Sequence, residues 1–73
     1  MSKLAGISAR ECIRALLSIG FYISKQEGSH IILRRDDPYA KTVVPNHKEL
    51  KVGTLRGIIR DANLTVDEFL ELL

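Results

Sequence analysis

Two histidines and a scatter of cations carry whatever chemistry these 73 residues can perform. His30 opens an apolar run in "GSHIILRR", and Arg34 and Arg35 close it. An imidazole titrates near pH ~6.5, so it takes and returns a proton at neutral pH, while a guanidinium grips phosphate oxygens two at a time. That combination suits general acid–base chemistry at a phosphodiester. The plain alternative is a solvated or hydrogen-bonded histidine at the start of a strand. His47, two residues after Pro45 in a polar loop, is either an ordinary surface histidine or a second phosphate contact or proton donor. As a metal pair, His30 and His47 make a poor zinc site, because no third ligand stands at a suitable spacing.

The elements that must position these groups follow from local signals. Ser8-Ala9-Arg10-Glu11 reads as a capping box, with Ile7 stapling onto Cys12, so a helix begins at Ala9. Its stripe of Cys12, Ile13, Leu16, Leu17 and Ile19 runs to Gly20, a residue that adopts the left-handed closing conformation at little cost. From Phe21 the period changes to two: Phe21 and Ile23 point one way, and Tyr22, Ser24 and Gln26 the other. Gly28-Ser29 turns the chain into "HIILRR", and "DDPYA" turns it again into "KTVV", which makes three antiparallel strands in a meander. Pro45 ends the ladder for want of an amide, and "NHKELKVG" reads as an exposed loop. Leu55, Ile58, Ile59 and Ala62 then restore the helical period as far as Asn63, and a second capping box, Thr65 to Glu68, with Leu64 stapling Phe69, starts a short helix over 66–73.

A sheet of three strands is stable only when helices cover one of its faces. Along the second strand side chains alternate, so Ile31 and Leu33 point to the helices and His30, Ile32 and Arg34 to the open face. His30 and Arg34 then stand ~13 Å apart along the strand at ~3.3 Å per residue.

Composition narrows the class. A chain of 73 residues reads as one domain, spanning 1–73, with one core built from Ile, Leu and Val, since it has no Trp and only two Phe and two Tyr. A lone cysteine, Cys12, excludes an internal disulfide or a Cys-based zinc cluster and sits at a core position; it fits a reducing, cytoplasmic setting. No run approaches the length of a signal peptide or a membrane span, so no membrane role is expected. The net charge of +2 conceals an asymmetry: 1–24 and 25–51 each carry +2, and 52–73 carries −2. Such an excess does not by itself announce a nucleic-acid partner. Lys41, Lys48 and Lys51 flank the third strand and its loop, where steering of a polyanion is credible, and Arg56 and Arg60 lie on the polar side of the second helix.

The chain resembles the HicA-type (YcfA-like) mRNA interferase toxins of toxin–antitoxin systems in "SARECIRALLSIGF", in "GSH" with its apolar strand and Arg34-Arg35, in "VVPNH", and in "KELKVGTLRGIIRDANLTVDEFLELL". The resemblance implies an α+β fold like the double-stranded-RNA-binding domain, cleavage of mRNA with neither metal nor cofactor, an essential histidine at His30, and a HicB-like antitoxin that obstructs it, so that Tyr22 and Ile32 are partly partner surface. Two positions depart from the family pattern: Glu27 stands where basic or neutral residues are common, and Asn46 where Arg is frequent. A carboxylate or a neutral amide at these positions offers a phosphate less than a cation would.

The reading is therefore an endoribonuclease toxin with His30 as general acid or base, RNA contacts from Ser29, Arg34, Arg35, Lys41, His47 and Lys48, and either His47 or water protonating the leaving oxygen. A non-catalytic RNA-binding module of the same fold is the alternative, although "KELKVGTLR" has only a modest version of the lysine cluster a duplex binder needs. An inactive paralogue that only binds a HicB-like protein is the third possibility.

Overall fold

A computed structural model describes residues 3–73. The element order is α1 (Ala9–Leu17), β1 (Tyr22–Glu27), β2 (His30–Asp36), β3 (Tyr39–Pro45), α2 (Val52–Asp61) and α3 (Val66–Glu71). The α+β arrangement expected for a double-stranded-RNA-binding-domain-like fold is thus present, with one antiparallel sheet in the order β1-β2-β3. Among the described residues no helix is long and apolar enough to cross a membrane.

Local chemistry sets the helix ends. Ser8 and Thr65 both close full capping boxes, with Glu11 and Glu68 answering from the third helical position. The Ser8 interaction holds the Glu11 carboxyl below its ordinary titration range. After α1 the Phe21 amide donates to Leu16 and the Gly20 amide to Leu17, at 3.2 and 3.3 Å, a Schellman pair that needs Gly20 at φ 95°. After α2, Asn63 at φ 61° fills the same role, its amide donating to Arg60 and that of Leu64 to Ile59.

The core lies between the helices and one sheet face. Ile31, Leu33, Ala40 and Val44 meet Cys12, Leu16, Leu55, Ile58, Ile59 and Phe69 there. Thr42 is the polar member of this layer, and its hydroxyl donates to Asp61 at 3.1 Å, tying β3 to α2. Ile31 and Leu33 are buried as the alternation requires.

Four expectations need correction. Ile23, expected to be buried with Phe21, is 51% exposed although it pairs with buried Leu33, because β1 is an edge strand that extends past the helical layer. The register slips between Ile23 and Lys25, a β-bulge that reverses the alternation, so Lys25 and Glu27, rather than Ser24 and Gln26, take the face of Ile32 and His30. Leu17 leaves the buried stripe and is 45% exposed, since α1 ends there. The loop after Pro45 is not wholly exposed: Leu50 is buried and its amide donates to Ile7 at 2.8 Å.

Candidate functional site

Residues paired across a ladder project from the same face of the sheet. The uncovered face therefore carries three rows: Glu27–His30–Pro45, Lys25–Ile32–Val43 and Tyr22–Arg34–Lys41. His30 heads the middle strand and is exposed. It emerges from a two-residue turn in which Gly28 has φ 59°, a conformation costly for any residue with a Cβ. Beyond Pro45 the Asn46 amide donates to the Ser29 carbonyl at 2.6 Å. That bond brings the start of the 46–51 loop against the histidine turn.

The rest of the face is ordered by charge. Arg34 Nε donates to the Tyr22 hydroxyl at 2.7 Å and lies 3.3 Å from Asp36 Oδ1, while the same hydroxyl donates to Asp36 at 2.9 Å. The Arg34 guanidinium also stands over the Tyr22 ring, 5.5 Å from its centroid. Tyr22, and after it Asp36, drive the Arg34 pKa still higher, so it remains a fixed positive charge. At the other end Lys25 Nζ approaches Glu27 at 3.7 Å. Lys41 makes no ion pair among the described residues.

Arg35 lies elsewhere. Alternation puts it on the side of Ile31 and Leu33, where its guanidinium stacks 4.7 Å from the Phe21 ring centroid. Its Nε donates to the Pro38 carbonyl at 2.9 Å, and a terminal nitrogen reaches the Ile19 carbonyl at 3.4 Å. Arg34 and Lys41 share a face with His30; Arg35 does not.

A second cationic region adjoins α1. The Ala9 amide donates to the His47 carbonyl at 3.0 Å, docking the loop onto the start of that helix. Ser8, Arg10, Asn46, His47 and Lys48 line a shallow depression here, and Arg10 and Asn46 continue into a neighbouring one with Ile13, Arg14 and Leu17. Arg10 and Arg14, which were not among the expected RNA contacts, stand four residues apart on one helix face, and that spacing is their only mark in the sequence. Among the described residues no three His, Cys, Asp or Glu side chains gather as a metal site. Cys12 is buried, and burial pushes its thiol up to about 12, which makes it inert packing.

The family model that matches over residues 9–64 is described as the HicA toxin of bacterial toxin–antitoxin systems. The chain belongs to the HicA toxin family. The matched stretch takes in both histidines and ends before α3. Membership brings with it a partner of the antitoxin kind. A search of curated proteins finds no match.

Proposed function

We propose that the chain is an endoribonuclease that cleaves mRNA and is neutralised by a HicB-like antitoxin covering its uncovered sheet face. The observation that carries the reading is the exposed His30 imidazole, held at a hairpin on the face that also bears Arg34 and Lys41. His30 takes the proton from a ribose 2′-hydroxyl as that oxygen attacks the adjacent phosphorus. The bond from phosphorus to the 5′-oxygen breaks, leaving a cyclic phosphate, and His47 or water protonates the departing oxygen. The nucleophile belongs to the RNA and the proton carrier is imidazole, so the scheme calls for no metal.

Arg34 and Lys41 lie ~13 Å along the sheet from His30, four residues at ~3.3 Å each, and so hold flanking phosphates rather than the one being cut. Ser29, His47 and Lys48, at the histidine end, contact the backbone near the scissile bond. Arg35 is left out of this contact set, because its guanidinium is engaged with Phe21, Pro38 and Ile19.

The test compares wild type with His30→Ala on a purified RNA, with circular dichroism to verify the fold. Losing the general base should slow cleavage by roughly 10²- to 10⁴-fold, and a deoxy oligonucleotide of the same sequence should remain uncut. Undiminished cutting by a folded His30→Ala variant, or equal cutting of the deoxy strand, would remove the mechanism. RNA binding with no cutting by the wild type would favour the non-catalytic module instead.

A further inference from the structure

At the end of the open face remote from His30, all three strands contribute to one cluster. Tyr22 comes from β1, Arg34 and Asp36 from β2, and Tyr39 and Lys41 from β3, where Tyr39 is the ladder partner of Asp36 and Lys41 that of Arg34. Tyr39 is 64% exposed and close enough to add to the electrostatic environment of Arg34. The Tyr22 hydroxyl is pinned between Arg34 and Asp36, so this ring is held rather than free to turn. Between the cluster and His30 lie Ile32 and the exposed Val43, an apolar floor flanked by Lys25.

Tyr39, open to water, and Tyr22, 36% exposed with the Arg34 guanidinium over its ring, have no core to serve and match the surface that unpaired nucleobases stack on. A duplex keeps its base faces stacked inside and offers these rings nothing. Lys41, unpaired among the described residues, adds a free cation for the backbone beside them. The separation from the histidine, ~13 Å at ~3.3 Å per residue, is one that a few extended nucleotides bridge.

We infer that Tyr22 and Tyr39, flanking Arg34, form a base-stacking platform that makes single-stranded RNA the substrate and holds it a few nucleotides from the bond that is cut. The inference rests on the nuclease reading above and adds to it a specificity-determining subsite.

The chain has two tyrosines and no tryptophan, so tyrosine ring resonances in an NMR spectrum report on this platform alone. With the His30→Ala variant to prevent cutting, titration with a single-stranded RNA should shift the ring protons of both tyrosines, and the duplex of the same sequence should not. In that background Tyr39→Ala should weaken binding by roughly 5- to 150-fold and Tyr39→Phe should restore it, as expected for loss and return of one stacked base. A single abasic nucleotide, moved along the strand, should reproduce the loss at one position upstream or downstream of the cut. Bound RNA with unmoved tyrosine resonances, or an unchanged affinity in Tyr39→Ala, overturns this inference while leaving the nuclease reading intact. The same follows if Tyr39→Ala weakens only the complex with the antitoxin. A wild-type protein that neither binds nor cuts RNA overturns both.

Discussion

Replacing Arg35 separates two roles that the sequence leaves superimposed. In the structure its guanidinium stacks on Phe21 at 4.7 Å, donates to the Pro38 carbonyl at 2.9 Å and only grazes the Ile19 carbonyl at 3.4 Å. A partly exposed cation–π contact contributes about 0.5–1 kcal/mol. A charged hydrogen bond contributes about 1.5–3 kcal/mol when buried and less here, because the Pro38 bond is open to water. Summed with that discount, Arg35→Ala should cost about 2 kcal/mol, which for a chain of this length lowers the melting temperature by roughly 8–16 °C. Arg35→Lys keeps the charge but loses the planar fork, and should lose most of the same stability. The assay is thermal denaturation by circular dichroism, run beside RNA cleavage at a temperature where every variant is folded. Arg34→Gln should do the reverse, weakening cleavage while moving the melt by only a few degrees. A melt for Arg35→Ala within about 2 °C of wild type, combined with loss of cleavage that Arg35→Lys rescues, would refute the structural assignment and return Arg35 to the RNA.

Two further outcomes follow from the core and the histidine turn. Cys12 should resist alkylation in the folded protein and react at the rate of unfolding. Because burial lifts its thiol from 9.0 to about 12, stability is intact below pH 9. Above that the unfolded chain loses a proton that the folded one keeps, so stability should fall by about 1.4 kcal/mol per pH unit; a Cys12→Ala variant with the same alkaline slope would contradict this. Gly28→Ala should lower stability by about 1–2 kcal/mol from its left-handed backbone alone, since no atom lies within 4 Å of the added carbon, and Gly28→Asn should cost less. Denaturant midpoints measure both, and equal values for the three proteins would mean that the turn relaxes.

The features legible in the chain were those decided within a few residues. Both capping boxes, the Gly20 and Asn63 helix ends and the order of the elements all appear where the spacing put them. So does the side taken by His30, Ile32 and Arg34, because β2 runs without interruption and its alternation survives. Strand β1 was less legible. Its bulge inserts one residue into the ladder, and every side chain beyond it changes face, a consequence of pairing that no period in the strand itself announces.

By itself, then, the sequence determined which segments are helix and strand and that a histidine would stand on the solvent side of the middle strand, because capping, turn formation and alternation are local free energies. Tertiary structure decided which groups share that histidine's surroundings. Glu27 and Lys25 arrive beside it through the bulge, Asn46 through its bond to Ser29, and His47 beside Arg10 through the docking of the loop on α1. Arg35 goes instead to the ring of Phe21. Each of these depends on contacts between residues distant in the chain, whose geometry exists only after the sheet has chosen its register and the helices have packed on one side of it.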